Sequence, residues 1–283
     1  MIQVSRAEVC AVACAGWQLL RQARAASGSA GNLARTKPVV ARYFLTGLVA
    51  EAAGLKVPAT GGAVVAINHT GYLDFTFAGL PADEIGRKVR FMAKKEIFEN
   101  KFGRPLMSAM RHIAVDRASG AESFDAAVAA LKSGELVGVY PEATISRSFE
   151  LKEFKSGAAR MAIAAGVPII PHIVWGAQRI WTKDHPRKMW RPKVPISVAV
   201  GEPIMPTLPP AELTELLRSR MQHLLEQVQA AYGPYPPGEF WVPHRLGGGA
   251  PTPAQAAELE AAELAARAEK RRQRELGNSP EKD

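Results

Sequence analysis

An α/β fold, with a largely parallel central sheet flanked by helices, is predicted by three features of the 283-residue sequence. Short apolar runs rich in β-branched residues and bounded by glycine or proline read as buried strands. Longer segments between them carry apolar residues at helical spacing. The two kinds alternate from about residue 62 to residue 231, the pattern of strands joined by crossover helices. In chain order the strands are expected at 62–68, 89–94, 112–117, 135–141, 167–174 and 193–201. Helices are expected at 73–80, 96–110, 121–133, 156–165 and 210–231. No internal repeat of 20–50 residues is visible.

Segments of different character flank this core, giving three expected parts: 1–57, 58–232 and 233–283. Residues 7–25, centred on Val9-Cys10-Ala11-Val12-Ala13-Cys14, read as a helix apolar nearly all round and too short to span a bilayer. Trp17, Arg21 and Arg24 at its end suit a membrane interface, although burial against the domain accounts for the same pattern. Residues 38–54 read as a second apolar helix ending at Gly54. Two such N-terminal apolar helices would make a shallow, re-entrant anchor. After Tyr232, the Gly233-Pro234-Tyr235-Pro236-Pro237-Gly238 stretch reads as irregular, and Gly247-Gly248-Gly249 with Pro251 and Pro253 as a linker. Residues 254–276 have the composition of a solvated helix with a basic cluster at Lys270-Arg271-Arg272-Gln273-Arg274, and the last seven residues read as disordered.

Composition narrows the function classes. With 36 Lys+Arg against 27 Asp+Glu the formal charge is +9, which suits an acidic partner: nucleic acid, anionic lipid or a phosphate-bearing substrate. Neither a Walker A nor a G-x-G-x-x-G pattern occurs, which removes the nucleotide-dependent enzymes. No aromatic-basic pattern supports nucleic acid. The two cysteines, Cys10 and Cys14, lie one helical turn apart as small apolar residues. They are too few for a zinc site, and the histidines are too scattered for a ligand set, so no metal is expected. No secretory signal and no run of 18 apolar residues is present.

The stretch that carries chemistry is Asn68-His69-Thr70-Gly71-Tyr72-Leu73-Asp74, directly behind the strand Gly62-Ala63-Val64-Val65-Ala66-Ile67. A histidine at the C-terminal end of a buried strand lands in a loop, where α/β proteins keep their reactive groups. An aspartate five residues on, with Gly71 to bend the chain, reaches the ring. Its carboxylate fixes the tautomer and favours the imidazolium, leaving the other nitrogen as a general base. The competing reading makes His69 a strand-end residue and Asp74 a helix cap.

Three further segments accompany it. The first runs from Gly103-Arg104-Pro105 through His112-Ile113-Ala114-Val115-Asp116-Arg117, whose strand-end arginine suits a phosphate. The second, Val139-Tyr140-Pro141-Glu142-Ala143-Thr144, stops a strand at proline and presents a carboxylate. The third is the strand Gly166-Val167-Pro168-Ile169-Ile170-Pro171. In this order the four blocks resemble the glycerolipid acyltransferase family, that of the 1-acylglycerol-3-phosphate acyltransferases (PlsC-like), over about residues 60–205. Asn68, His69 and Asp74 match its N-H-x-x-x-x-D block, Asp116-Arg117 its second block, and Pro168-Ile169 its V-P-I-x-P strand. Lys94, in Ala93-Lys94-Lys95-Glu96, matches its basic segment, and Phe154-Lys155-Ser156-Gly157 its lysine-glycine helix start. The third block departs from F-P-E-G-T-R: Glu142 and Thr144 are kept, Ala143 replaces glycine, and Ile145 replaces arginine, with Arg147 two residues on.

The resemblance implies a glycerol-3-phosphate acyltransferase-like fold and an O-acyltransferase. It would move a fatty acyl group from acyl-CoA or an acyl carrier protein, as co-substrate, to the free hydroxyl of lysophosphatidic acid. His69 and Asp74 would be catalytic, Arg117 and Lys94 would hold the acceptor phosphate with Thr144 and Arg147, and Glu142 would order the acceptor or its loop. No other cofactor is implied. With no G-x-S-x-G serine and both cysteines in the N-terminal segment, direct transfer is favoured over an acyl-enzyme. The family also implies a peripheral or monotopic place on the cell membrane, against anionic lipids, with the site facing the cytoplasm. Two alternatives stay open: another lysophospholipid or glycerol 3-phosphate as acceptor, and a non-catalytic anionic-lipid-binding protein. His112 and His172 read as packed histidines. Trp175, Trp181 and Trp190 flank Arg179, Lys183, Arg187, Lys188 and Arg191, a mixture that suits either core packing or a lipid interface.

Overall fold

The computed structural model describes residues 50–53, 56–94, 112–115, 120–188 and 194–277. The expected helices over 7–25 and 96–110, both cysteines, Gly103-Arg104-Pro105, Lys95, Asp116-Arg117, Trp190, Arg191 and residues 278–283 lie outside them. The described residues form two compact units. One runs to Ile145 and resumes over Glu153–Gly233; the other joins Ser146–Lys152 to the chain from Pro234 onward.

In the first unit the β-branched runs pair as β1 (Ala50–Ala53), β2 (Ala63–Ile67), β3 (Val89–Lys94), β4 (Ile113–Val115), β5 (Leu136–Val139), β6 (Ile169–Trp175) and β7 (Ile196–Val200). They make one sheet in the order β1-β7-β6-β2-β5-β3-β4. Every neighbouring pair is parallel except β6 with β7. This is the largely parallel sheet the alternation predicts. β2, at the middle, is fully buried along its length, and so are Ile169, Ile170, Ile173, Val174 and Trp175 of β6. Strands covered on both faces need continuous apolar runs, which is why these two read so clearly in the sequence.

The helices are α1 (Asp74–Ala78), α2 (Leu80–Glu84), α3 (Gly120–Lys132), α4 (Gly157–Ala165) and α5 (Pro210–Tyr232). α1 packs on β6 and β7, and Phe77 and Ala78 join a core with Ala63, Val65 and Ile67 of β2. α3, α4 and α5 pack against one another in succession, and against β5, β2 and β6 respectively. α4 ends at Gly166 in the left-handed conformation, whose N–H closes on the carbonyls of Ala162 and Ile163. α5 starts at a proline pair and buries Leu213, Leu217, Met221, Leu225 and Val228, a stripe at helical spacing.

One expectation is corrected here. Ala50–Ala53, assigned from its apolar run to the end of a helix over 38–54, is strand β1, in register with Ile196–Ala199 of β7. Alanine-rich sequence favours helix on its own, but pairing with an open sheet edge outweighs so weak a preference.

In the second unit, Gly247-Gly248-Gly249 is no linker. Gly238 N–H donates to the Gly247 carbonyl at 2.9 Å, and Gly249 N–H to the Glu239 carbonyl at 2.9 Å. A Cβ on Gly248 would lie 2.0 Å from the Val242 carbonyl oxygen, so glycine is there for close backbone approach. Trp241, Val242 and Ala250 are buried in this knot. The expected tail helix is α6 (Pro253–Gly277). Its Glu260 accepts from Lys152 at 2.7 Å and its Glu263 from Arg147 at 2.8 Å, while Leu259 and Leu264 stay exposed. No helix among the described residues is long and apolar enough to cross a membrane.

Candidate active site

In a parallel sheet the C-terminal ends of the strands share one edge, so β2, β5 and β3 deliver Asn68-His69, Tyr140-Glu142 and Lys94 to the same side. Asn68 sets the direction in which β2 is left. Its side chain is fully buried, donates to the Val174 carbonyl at 3.0 Å and accepts from the Val174 N–H at 2.7 Å. The side chain thus stands in for one more rung of the β2–β6 ladder.

The loop then turns tightly against the segment after β6. Tyr72 N–H donates to the Trp181 carbonyl at 3.0 Å, and the Thr182 hydroxyl to the Thr70 carbonyl at 2.7 Å. At Gly71 a Cβ would meet the Trp181 oxygen at 2.9 Å, so any side chain would push the two segments apart. The turn brings Asp74, the first residue of α1, back under the loop. Its Oδ2 accepts from Thr70 N–H at 2.7 Å, Gly71 N–H at 2.8 Å and His69 Nδ1 at 3.1 Å. A carboxylate only accepts, so the imidazole proton sits on Nδ1 and Nε2 is left with its lone pair. Asp74 therefore caps no helix; its carboxylate faces backward to the histidine and the turn.

Burial is asymmetric across this pair: the Asp74 side chain is fully buried and that of His69 is 18% exposed. Removal from water pushes the Asp74 carboxyl above its ordinary range, opposed by the bonds from His69, Gly71 and Thr70. Its other oxygen, Oδ1, has no hydrogen-bond partner among the described residues. Glu142, also buried, fixes the loop from the neighbouring strand: Oε1 accepts the His69 backbone N–H at 2.9 Å. The Tyr140 ring lies face to face with the His69 imidazole, centroids 3.9 Å apart and planes 18° apart.

The acyltransferase family profile matches residues 52–175, a span that holds the histidine, the aspartate, Tyr140 and Glu142. Residues 52–175 belong to the acyltransferase family. The domain is thus an O-acyltransferase domain, and two relatives carry the same name. The 1-acyl-sn-glycerol-3-phosphate acyltransferase of Bacillus subtilis is 29% identical over 177 residues, 59% of this chain and 83% of that protein. That of Limnanthes douglasii is 30% identical over 174 residues, 57% of this chain and 59% of the plant protein, so the chain spans less than two thirds of the plant relative. The crystal structure of the lysophosphatidate acyltransferase PlsC from Thermotoga maritima superposes with a TM-score of 0.54. At 20% identity it covers 65% of this chain and 74% of that one, and shows that the fold is shared.

Within this acyltransferase domain the turn after β5 carries the departures from the family pattern. Ala143 N–H bonds the Tyr140 carbonyl at 3.0 Å and Thr144 N–H the Glu142 carbonyl at 2.8 Å. That geometry requires φ of +61° at Ala143, a left-handed conformation that glycine adopts without cost. Ala143→Gly is accordingly expected to raise stability by about 1 kcal/mol, read as a higher denaturant midpoint at unchanged m-value. Thr144 is half-buried beside this turn, and Ile145 is packed at 4% exposure, presenting no charge to any substrate. Arg147, expected to supply that charge, is engaged elsewhere: it is ion-paired to Glu263 in the second unit. The sequence offered no sign of this, because the partner lies 116 residues away.

Lys94 ends β3, while Arg117 lies outside the described residues, two positions after the end of β4. The tryptophans divide. Trp175 is fully buried in β6, which decides for core packing at that position, whereas half-buried Trp181 lies against Tyr72 with ring centroids 4.5 Å apart and planes tilted by 38°. His112 and His172 are packed histidines. His112 Nδ1 accepts from the Phe91 N–H at 3.1 Å, and His172 is fully buried in β6. Sequence reasoning missed the roles of Asn68, Thr182 and Tyr140. Each acts across more than 70 residues, and only Asn68 carried any signal, as a member of its motif.

Proposed function

We propose that the protein transfers a fatty acyl group from acyl-CoA or an acyl carrier protein to the free hydroxyl of lysophosphatidic acid, giving phosphatidic acid for phospholipid synthesis. The observation that carries this reading is the imidazole of His69, held through Nδ1 by a fully buried carboxylate, with its own side chain 18% exposed. Nε2 takes the hydroxyl proton as the acceptor oxygen attacks the thioester carbonyl carbon. The carbon–sulfur bond then breaks, and the thiolate leaves with the proton that the imidazolium returns. Asp74 lowers the barrier by facing the positive charge that develops on the ring. No group on the protein is acylated in this sequence.

Arg117, Lys94 and Thr144 serve in this reading as ligands of the acceptor phosphate, so that positioning replaces a bimolecular encounter. Glu142 orders the His69 loop. Arg147, committed to Glu263, is left out of the phosphate set. The names of the bacterial and plant relatives support the acceptor, and the basic balance of +9 supports work at an anionic, cytoplasm-facing membrane surface to which the protein binds without spanning it.

The test is transfer of labelled acyl-CoA and acyl carrier protein by purified protein to a panel of acceptors. The panel holds lysophosphatidic acid, lysophosphatidylglycerol, lysophosphatidylethanolamine and glycerol 3-phosphate, with His69→Ala alongside. The expected result is transfer to lysophosphatidic acid that disappears in His69→Ala while the variant keeps the wild-type melting curve. Preference for a different head group would overturn the acceptor, and His69-independent transfer would overturn the mechanism.

A further inference from the structure

Torsion about the Cβ–Cγ bond of His69 has a broad minimum, and the single hydrogen bond to Asp74, at 3.1 Å, opposes a twist of the imidazole only softly. Tyr140 supplies a second restraint on the plane. Its ring covers one face of the imidazole at 3.9 Å and 18°, closer than aromatic pairs ordinarily sit. Tyr140 has its own backing. Phe91 lies behind it at 6.4 Å and 26°, and Phe91 is wedged edge-on by Phe75 at 5.9 Å and by His112 at 5.7 Å. The carbonyl of Tyr140 is also tied into the turn that carries Glu142, the residue that holds the His69 backbone. One strand end therefore grips His69 twice, by its main chain through Glu142 and by its ring through Tyr140.

We propose that Tyr140 is a positioning residue for the transfer: its flat face keeps Nδ1 on Asp74 and Nε2 on the acceptor hydroxyl, and shares the charge of the imidazolium. The proposal rests on the acyl-transfer reading above. A cation over an aromatic face is attracted by the ring quadrupole, so the same contact that aligns the neutral base is stronger once it is protonated. An interaction that strengthens toward the transition state raises kcat rather than substrate affinity. Stacking requires the ring and makes no use of the hydroxyl.

The experiment compares wild type with Tyr140→Leu, Tyr140→Met and Tyr140→Phe, each checked for folding by its melting curve. Two readouts are taken: kcat against acceptor KM, and the proton NMR signal of the hydrogen-bonded His69 Nδ1–H, assigned by its absence in His69→Ala. In folded Tyr140→Leu or Tyr140→Met, kcat is expected to fall about ten- to a hundredfold with KM little changed, and the Nδ1 proton to be lost to exchange. Phenylalanine, which restores the flat ring, restores both. A folded leucine or methionine variant that keeps the Nδ1 proton overturns the proposal whatever its rate, and so does one that loses the proton yet turns over within about twofold of wild type. Should the wild-type protein transfer no acyl group, the acyl-transfer reading fails by itself. The Nδ1 signal then still decides whether Tyr140 orients the ring.

Discussion

In the proposed reaction Asp74→Asn is expected to lower kcat by about 10²- to 10⁴-fold, to leave the acceptor KM close to wild type, and to keep or raise the melting temperature. This split follows from how the carboxylate is held. All three bonds made to it converge on Oδ2, from Thr70 N–H, Gly71 N–H and His69 Nδ1. An asparagine with its carbonyl oxygen in that place accepts the same three, so the turn and the tautomer survive. What disappears is the negative charge that faces the imidazolium. In the proposed reaction, binding of the acceptor does not involve that charge, whereas proton removal does, so the expected loss falls on kcat.

The stability half of the expectation comes from the raised Asp74 carboxyl. A group whose folded-state pKa lies above its unfolded value contributes stability below the unfolded pKa and loses it as pH rises through the folded one. At neutral pH the ionised carboxylate is therefore a cost to the fold, retained for what it does to His69. The amide removes that cost, though its NH₂ takes the place of Oδ1, where the described residues supply no partner. Kinetics of the variant beside its thermal melt check both halves. A fall in kcat that merely tracks a fall in folded protein would make Asp74 structural. Wild-type turnover would remove it from the chemistry.

The same pair shows what in this fold is legible from sequence and what is not. His69 and Asp74 are five residues apart on one turn, so spacing alone brings them together. The central strands are legible because burial on both faces demands apolar runs. Longer-range contacts are not. Glu142 stands out as a carboxylate after a strand, but its bond to the His69 backbone depends on β2 and β5 being neighbours. Tyr140 reads only as the last apolar residue before Pro141. Ala50–Ala53 has no strand signal of its own and is made a strand by the free edge of β7. Gly247-Gly248-Gly249 has linker composition, yet its glycines serve backbone packing, a use that composition does not distinguish from flexibility. Arg147 is a similar case: its charge is visible in sequence, and its ion-pair partner on α6 is not.

Acidification from pH 7 to pH 4.5 is expected to cost the fold several kcal/mol through His112 and His172. Neither touches the reaction as proposed. Burial holds both imidazoles at about 4, well below the ordinary 6.5; at His112 the nearby Arg90 adds to the effect, and at His172 the Ala78 backbone offsets a little of it. The Ala78 backbone is near the His172 ring, but neither ring nitrogen makes a hydrogen bond of ordinary geometry among the described residues, and His112 already uses Nδ1 to accept from Phe91. A folded-state pKa below the unfolded one means stability that is present above about 6.5 and is lost as pH falls toward about 4. Each pH unit in that window costs about 1.4 kcal/mol per histidine, so the pair approaches the whole stability of an ordinary domain. Asp74 works in the opposite direction, since its raised carboxyl makes acid less harmful. Denaturant midpoints measured by circular dichroism across this range, for wild type and His172→Leu, separate the contributions. The leucine variant should lose stability about half as steeply with falling pH. An identical slope in the two proteins would mean that His172 takes up no proton on unfolding, and that acid acts on this fold elsewhere.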